Sequence, residues 1–329
     1  MRRVLVVLTL MRLWVGGAHA ASLCLIDTEG RVRLRTSLDE AGPFSEGLAP
    51  ARRGSRWGYV DREGRFAIPP QFSLAGAFSG GRAPVAIDAA WTFVDRDGRV
   101  LAGRFEAAEG HADGRALVQQ GGRWGFVDEA GALAIAPELD LARSFSEGRA
   151  AARRSGLWGY LDRDGGWAVE PRFEEALPFR EGLAVVRRDG GWAYVDRQGR
   201  EAFACPFAEC FSFAEGLARV LTGQTWGWID HSGQLAIEPL YVGADDFSEG
   251  RARVKIGHDY GYVSRDAELV VPIRYDSCGP HLGGLAWGLR KGRVHYIDAD
   301  GRVAIAAELA SGGDFAEGVA WVRFVEAAP

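Results

Sequence analysis

The sequence predicts an all-β protein made of a tandem array of 34-residue three-stranded β-meanders. Three observations predict it. A two-block pattern returns at a fixed interval, the second block alternates like a strand, and turn residues punctuate every unit.

The first block is the hexamer FSEGLA at Phe44. It returns as FSGGRA at Phe78, HADGRA at His111, FSEGRA at Phe145, FREGLA at Phe179, FAEGLA at Phe213, FSEGRA at Phe247, HLGGLA at His281 and FAEGVA at Phe315. Successive copies start 34 residues apart, once 33. The second block is WGYVDREG at Trp57, followed by copies at Trp91, Trp124, Trp158, Trp192, Trp226, Tyr260 and Val294, with a half copy, LCLIDTEG, at Leu23.

In the first full unit, Leu48 to Arg52 reads as a short strand and Arg53-Gly54-Ser55 as a turn. Trp57, Tyr59 and Asp61 then alternate with Gly58 and Val60, the period of a strand. Asp61 to Gly64 reads as a tight turn, with an aspartate that accepts backbone N–H bonds and a glycine that tolerates positive φ. Arg65 to Ile68 is the next strand. Pro69-Pro70 ends it, because proline cannot donate to a ladder. The return segment, Gln71 to Ala77, has room for a helical turn at most. Such a meander cannot bury its own apolar face, so neighbouring units must stack. The glycine after each tryptophan allows a close backbone approach.

The linked Trp-Gly-aromatic-aliphatic-Asp-x-x-Gly blocks resemble the WG-repeat (KWG-type) family of bacterial proteins from about Ser22 to the C-terminus. The departures are Trp91-Thr92, Trp192-Ala193 and the copies at Tyr260 and Val294. The resemblance implies a repetitive β scaffold and brings no catalytic residues.

Two architectures fit: an open, twisted solenoid and a closed β-propeller. The chain opens on a second half-unit (22–43), runs through eight full units (44–314) and ends on a first half-unit (315–329). Joined, the halves complete a ninth unit. Nine exceeds the usual 4–8 blades, and 34 residues is short for a four-stranded blade, so the open form is slightly favoured.

Composition bounds the function. The 329 residues are 47% hydrophobic with a net charge of −5, which gives no footprint for nucleic acid. Residues 1–20 read as a signal peptide: Arg2 and Arg3, an apolar run from Val4 to Met11, and Ala18-His19-Ala20 at the cleavage site. Residues 21–329 then form one domain, periplasmic or extracellular, without a transmembrane segment. Four cysteines remain (Cys24, Cys205, Cys210 and Cys278), and export permits disulfides among them. Cys205 and Cys210 are close enough to close a small loop, but spacing does not fix the pairing.

No catalytic, cofactor or metal constellation emerges. Trp57, Trp91, Trp124, Trp158, Trp192 and Trp226 recur once per unit and read as the structural core. Asp61, Asp95, Asp128, Asp162, Asp196 and Asp230 read as turn caps, since a calcium loop needs more ligands than the turn offers. The Glu-Gly pairs from Glu46-Gly47 to Glu249-Gly250 read as a second periodic turn, and His111 and His281 as core or semi-buried substitutions for phenylalanine. The variable segment before each tryptophan carries Arg52, Arg53, Arg56, Arg153, Arg154, Arg187, Arg188, Lys255, Arg290 and Lys291. Equivalent segments fall on one side of a stack, so these residues are candidate partner-binding loops. The expected function is a non-enzymatic scaffold without cofactor that binds a protein or an anionic polymer. The alternative is a glycan- or cell-wall-binding module that uses exposed aromatics. Residues Cys205 to Phe213 depart most from the repeat.

Overall fold

A computed structural model describes residues 22–325. The signal-peptide reading of residues 1–20 lies outside them. Every regular element among the described residues is a β-strand.

The first sheet shows the plan: Glu40–Ala41, Ala49–Arg53, Arg56–Val60 and Phe66–Phe72 pair antiparallel in that order. Three strands belong to each unit, as the meander reading requires. The fourth strand of a sheet comes from its neighbour. The last strand of one unit bends at its proline and, one residue later, enters the next sheet as Leu74–Ala75. In the eighth unit, Val303–Gly312 runs unbroken through two sheets and joins them into one of seven strands. In the second unit, the bridges Trp91–Phe105 and Val94–Val100 stand in for the outer strand. We number the sheets one to nine by their second block, from Trp57 to Val294, with the Leu23 copy as the ninth.

The ends of the array meet. Leu23–Asp27 pairs antiparallel with Val319–Phe324, so the two half-units make the ninth sheet. That sheet packs on the first: Phe44 stacks on Trp321 at 5.8 Å, and the Trp321 indole N–H donates to the Gly42 carbonyl at 3.0 Å. Leu23, Leu25, Phe44, Ala49, Val60 and Trp321 share one buried cluster. No single sheet closes on itself, but the array does. These contacts describe the closed alternative and not the open solenoid slightly favoured on unit length. The length argument fails because the strand that passes between sheets serves twice, so 34 residues suffice for four short strands.

The core lies between sheets. The third residue of each full second block is fully buried: Tyr59, Phe93, Phe126, Tyr160, Tyr194, Trp228, Tyr262 and Tyr296. Each meets the first residue of the next hexamer, as Tyr59 meets Phe78 with ring centroids 4.8 Å apart and the rings edge to face. Where the buried ring is tyrosine, its hydroxyl donates to a carbonyl of the next sheet, as Tyr59 does to Gly76 at 2.8 Å. That satisfies a polar atom which burial would otherwise penalise.

The glycine after tryptophan has a steric cause. At Gly125 an added Cβ would lie 2.6 Å from the Ile135 carbonyl oxygen. The outer strand bulges inward there, with Trp124 opposite Leu139 and Phe126 opposite Ile135. The fifth sheet lacks the bulge. Trp192, Ala193 and Tyr194 pair in step with Cys205, Ala204 and Phe203, so alanine fits.

Candidate functional site

Meander topology puts both tight turns of every sheet at one end and the pre-tryptophan hairpin at the other. The ring therefore has a turn face and a hairpin face.

The turn face is occupied by structural bonds. Asp61 Oδ1 accepts from the backbone N–H of Glu63 at 3.1 Å and of Arg65 at 2.9 Å. Asp95, Asp128, Asp162, Asp196, Asp230 and Asp298 repeat these two bonds, and Ser264 makes longer versions. The hexamer turn places Glu46 at φ 54° and Gly47 at φ 78°, the handedness that tight hairpins need. Positive φ strains a glutamate. Its carboxylate, however, reaches the next unit and accepts from the N–H groups of Gly80 at 2.7 Å and Gly81 at 2.9 Å. The same step recurs from Asp113, Glu147, Glu181, Glu215 and Glu249, and Glu317 takes it across the seam to Gly47 at 3.1 Å. A basic side chain on the next unit faces several of these carboxylates: Arg197 lies 2.9 Å from Glu147, His231 3.3 Å from Glu181, and Arg62 2.9 Å from Glu317. Gly80 and Gly283 carry no carboxylate, and the cation positions facing them hold Glu129 and Thr28.

The hairpin face carries the residues expected to bind a partner, and the structure spreads them around the ring. Most are already engaged. Arg52 pairs with Glu40 at 2.7 Å and Arg188 with Glu201 at 3.1 Å. Arg53 lies over the Phe66 ring at 4.8 Å, and Arg154 over Trp167 at 4.8 Å. Arg153 donates to the Gly156 carbonyl, and the Lys291 backbone N–H to Asp276. Arg56 and Arg290 are exposed. This is a rim of mixed charge.

Among the tryptophans, Trp57, Trp124 and Trp158 are buried, while Trp91, Trp192 and Trp226 are half-buried. Two of the half-buried rings mark clefts. One cleft of about 400 Å³ is lined by Arg187, Trp192 and the segment from Cys205 to Glu209. Arg187 lies 5.7 Å from the Trp192 ring centroid and 3.5 Å from Glu174. The Trp192 indole N–H donates to the Ala208 carbonyl at 3.1 Å, which fixes the ring against the loop. Cys205 and Cys210 are joined in a disulfide that closes this loop. A smaller cleft of about 170 Å³ is lined by Trp226, Asp245, Arg253, Lys255 and Tyr260. Lys255 lies 5.1 Å from the Tyr260 ring centroid.

Two predicted loop residues, Arg187 and Lys255, thus meet two predicted core tryptophans, Trp192 and Trp226, in one sector of sheets five to seven. The repeat reading missed Tyr260 as a lining residue and Glu174 as the ion-pair partner of Arg187. The irregular Cys205–Phe213 stretch was the available signal. Among the described residues, no group of three or more His, Cys, Asp or Glu side chains is placed to hold a metal ion. Among the described residues, no helix long and apolar enough to cross a membrane is present.

A ring of small antiparallel sheets, one per 34-residue unit, defines a tandem β-repeat protein. The chain belongs to the WG containing repeat family, which matches nine consecutive segments from residues 25–57 through 296–324. Among solved structures, a eukaryotic initiation factor is similar over 93% of this chain and 98% of its own, with TM-score 0.63 and 9% identity. That likeness is one of fold. PorZ, a surface component of the type-IX secretion system of Porphyromonas gingivalis, aligns over 86% of this chain and 45% of its own, with TM-score 0.37 and 11% identity. The extracellular domain of the B. thetaiotaomicron hybrid two-component system BT3049 aligns over 89% and 62%, with TM-score 0.33 and 10% identity. No curated protein matches the chain in sequence.

Proposed function

We propose that this chain is a non-enzymatic interaction scaffold, exported to the periplasm or cell exterior, whose partner docks on the hairpin face at sheets five to seven. One observation carries the reading. The cleft at Arg187 and Trp192 sits where the repeat breaks, on a disulfide-closed loop that the other units fold without. A departure that the scaffold does not need points to a task beyond the scaffold. Two features support export: the residue pattern of 1–20, and a disulfide of the kind that persists in oxidising compartments. The recurring carboxylates support a scaffold over an enzyme, because each is spent on backbone N–H groups of its own or the next turn.

In-cell crosslinking of the tagged full chain, read by mass spectrometry, tests this. The expected result is one or two partners crosslinked beside the cleft and lost in Trp192→Ala. Crosslinks scattered evenly around the ring, unchanged by Trp192→Ala, would sink the site.

The half-buried rings of Trp192 and Trp226 favour a second reading, a glycan stacked on them. Quenching of tryptophan fluorescence by a cell-wall polysaccharide, absent in a Trp192→Ala, Trp226→Ala double variant, would identify it.

A further inference from the structure

Comparison of the units with one another singles out a second feature of the same sector. Just before each sheet's first strand, five units carry an acid: Asp39, Glu106, Asp140, Glu174 and Asp276. Each accepts a backbone N–H of the pre-tryptophan hairpin, as Asp39 does from Gly54 at 2.6 Å and Glu174 from Gly190 at 3.0 Å. The cross-strand position beside it holds Arg53, Arg154, Arg188 or Arg290 in four of those five units. In the seventh sheet the same two positions are Val242 and Ile256. The Val242 N–H bonds to the Lys255 carbonyl, and Gly243 pairs with Lys255, so Val242 stands opposite Ile256 on one face. Strand alternation adds Leu240 to that face. Leu240 is 68% exposed, Val242 51% and Ile256 50%. At the Leu240 position other units have Gln71, Glu138, Arg172, Arg274 and Glu308.

This hairpin end therefore lacks the capping acid and the arginine that four other units place here, and it carries three exposed aliphatic side chains. The fold gains nothing from them, and apolar surface of this kind marks a contact. The chemistry selects the contact. Aliphatic side chains offer a glycan neither a ring to stack on nor a hydrogen bond, and sugar hydroxyls set against them would be desolvated without partners. They offer a polyanion no charge. Three side chains also fall far short of the ~800 Å² per partner of a standard interface, which fits a narrow segment better than the broad face of a second copy.

We infer that the partner is a protein that lays an extended segment with apolar side chains across Leu240, Val242 and Ile256, beside the cleft lined by Trp226, Lys255 and Tyr260. This rests on the scaffold reading and names its partner class.

The test uses the folded full chain as bait for a displayed random-peptide library and, in parallel, for a glycan array. The key variant is Val242→Asp with Ile256→Arg. It installs the pair that sheet four carries as Asp140 and Arg154, so it suits the fold, and a thermal melt checks this. Leu133→Asp, at an exposed aliphatic outside the patch, is the control. We expect selected peptides rich in apolar residues, with affinity about tenfold weaker for the double variant and unchanged for the control. Peptides indifferent to the double variant would overturn the inference. Glycan binding without peptide binding would also overturn it, yet leave a scaffold. Concentration-dependent dimers abolished by the double variant would make the patch a contact between copies and overturn it too. Silence in both arms would count against the inference and the scaffold reading together.

Discussion

His281 stands where seven of the nine hexamers begin with phenylalanine, and it keeps the same packing, edge to face on Tyr262 at 4.8 Å. The imidazole is buried, and its Nε2 has no hydrogen-bond partner. Burial, with the Arg251 charge adding to it, lowers its pKa to about 4. An unfolded chain takes up this proton near pH 6.5, while the folded chain resists it until about pH 4. Stability is therefore complete above pH 6.5 and declines as pH falls through that window, by about 3 kcal/mol in all. His281→Phe restores the repeat's own residue and should remove this decline. Thermal melts at pH 7 and pH 4.5 check it: the variant should lose less between the two than the parent. The burial of His281 was legible from its place in the hexamer. The unpartnered Nε2 was not, because it depends on what the neighbouring sheet offers.

At the scale of one strand pair, the glycine after tryptophan (after Tyr260 in the seventh sheet) packs against the bulge opposite it in five sheets, while Thr92 and His295 take that place in the second and eighth. Gly159→Val should therefore disrupt the fourth sheet, whose outer strand bulges toward that glycine between Trp158–Phe173 and Tyr160–Val169. The expected loss is about 3 kcal/mol, since the obstructing atoms are backbone and cannot rotate away. Ala193→Gly should change stability by no more than about 1 kcal/mol, because its partner strand runs in step. Chemical denaturation of both variants gives the comparison. Equal losses would uncouple glycine from bulge. The strands and turns were legible in local pattern, since aspartate caps and Glu-Gly turns act within a few residues. The fourth strand was not, because whether a strand stops at Pro69-Pro70 or bends there and continues into the next sheet is decided by the neighbour it reaches.

Closure is a property of the whole ring, and its seam, inside the ninth unit, is the one place where two halves join with no covalent connection. Leu23–Asp27 and Val319–Phe324 hold it by pairing. Glu317 ties the turn face across it, accepting from Gly47 N–H and pairing with Arg62. Its hydrogen bond with Arg62 is the main cause of a pKa below the usual glutamate value, outweighing the opposing effect of burial. A depressed carboxylate stabilises the fold above its unfolded pKa, and that contribution is lost as pH falls through the folded value. Glu317→Gln should thus cost about 1 kcal/mol at pH 7 and nothing once the parent's carboxylate is itself protonated. Asp27, on the closing strand, extends the acid sensitivity lower. Burial would raise its pKa, but bonds from Arg31 and the charge of Arg33 hold it down to about 2. Trp321 sits at the seam against Phe44, and in a chain labelled with fluorotryptophan its resonance, assigned by its loss in Trp321→Phe, reports closure. In an acid titration, Glu317→Gln should move the onset of the Trp321 change to higher pH. Glu249→Gln should not, because its carboxylate joins two units that the chain already connects. If both variants shift the Trp321 transition equally, the seam is no weaker than the other joints, and closure does not depend on this latch.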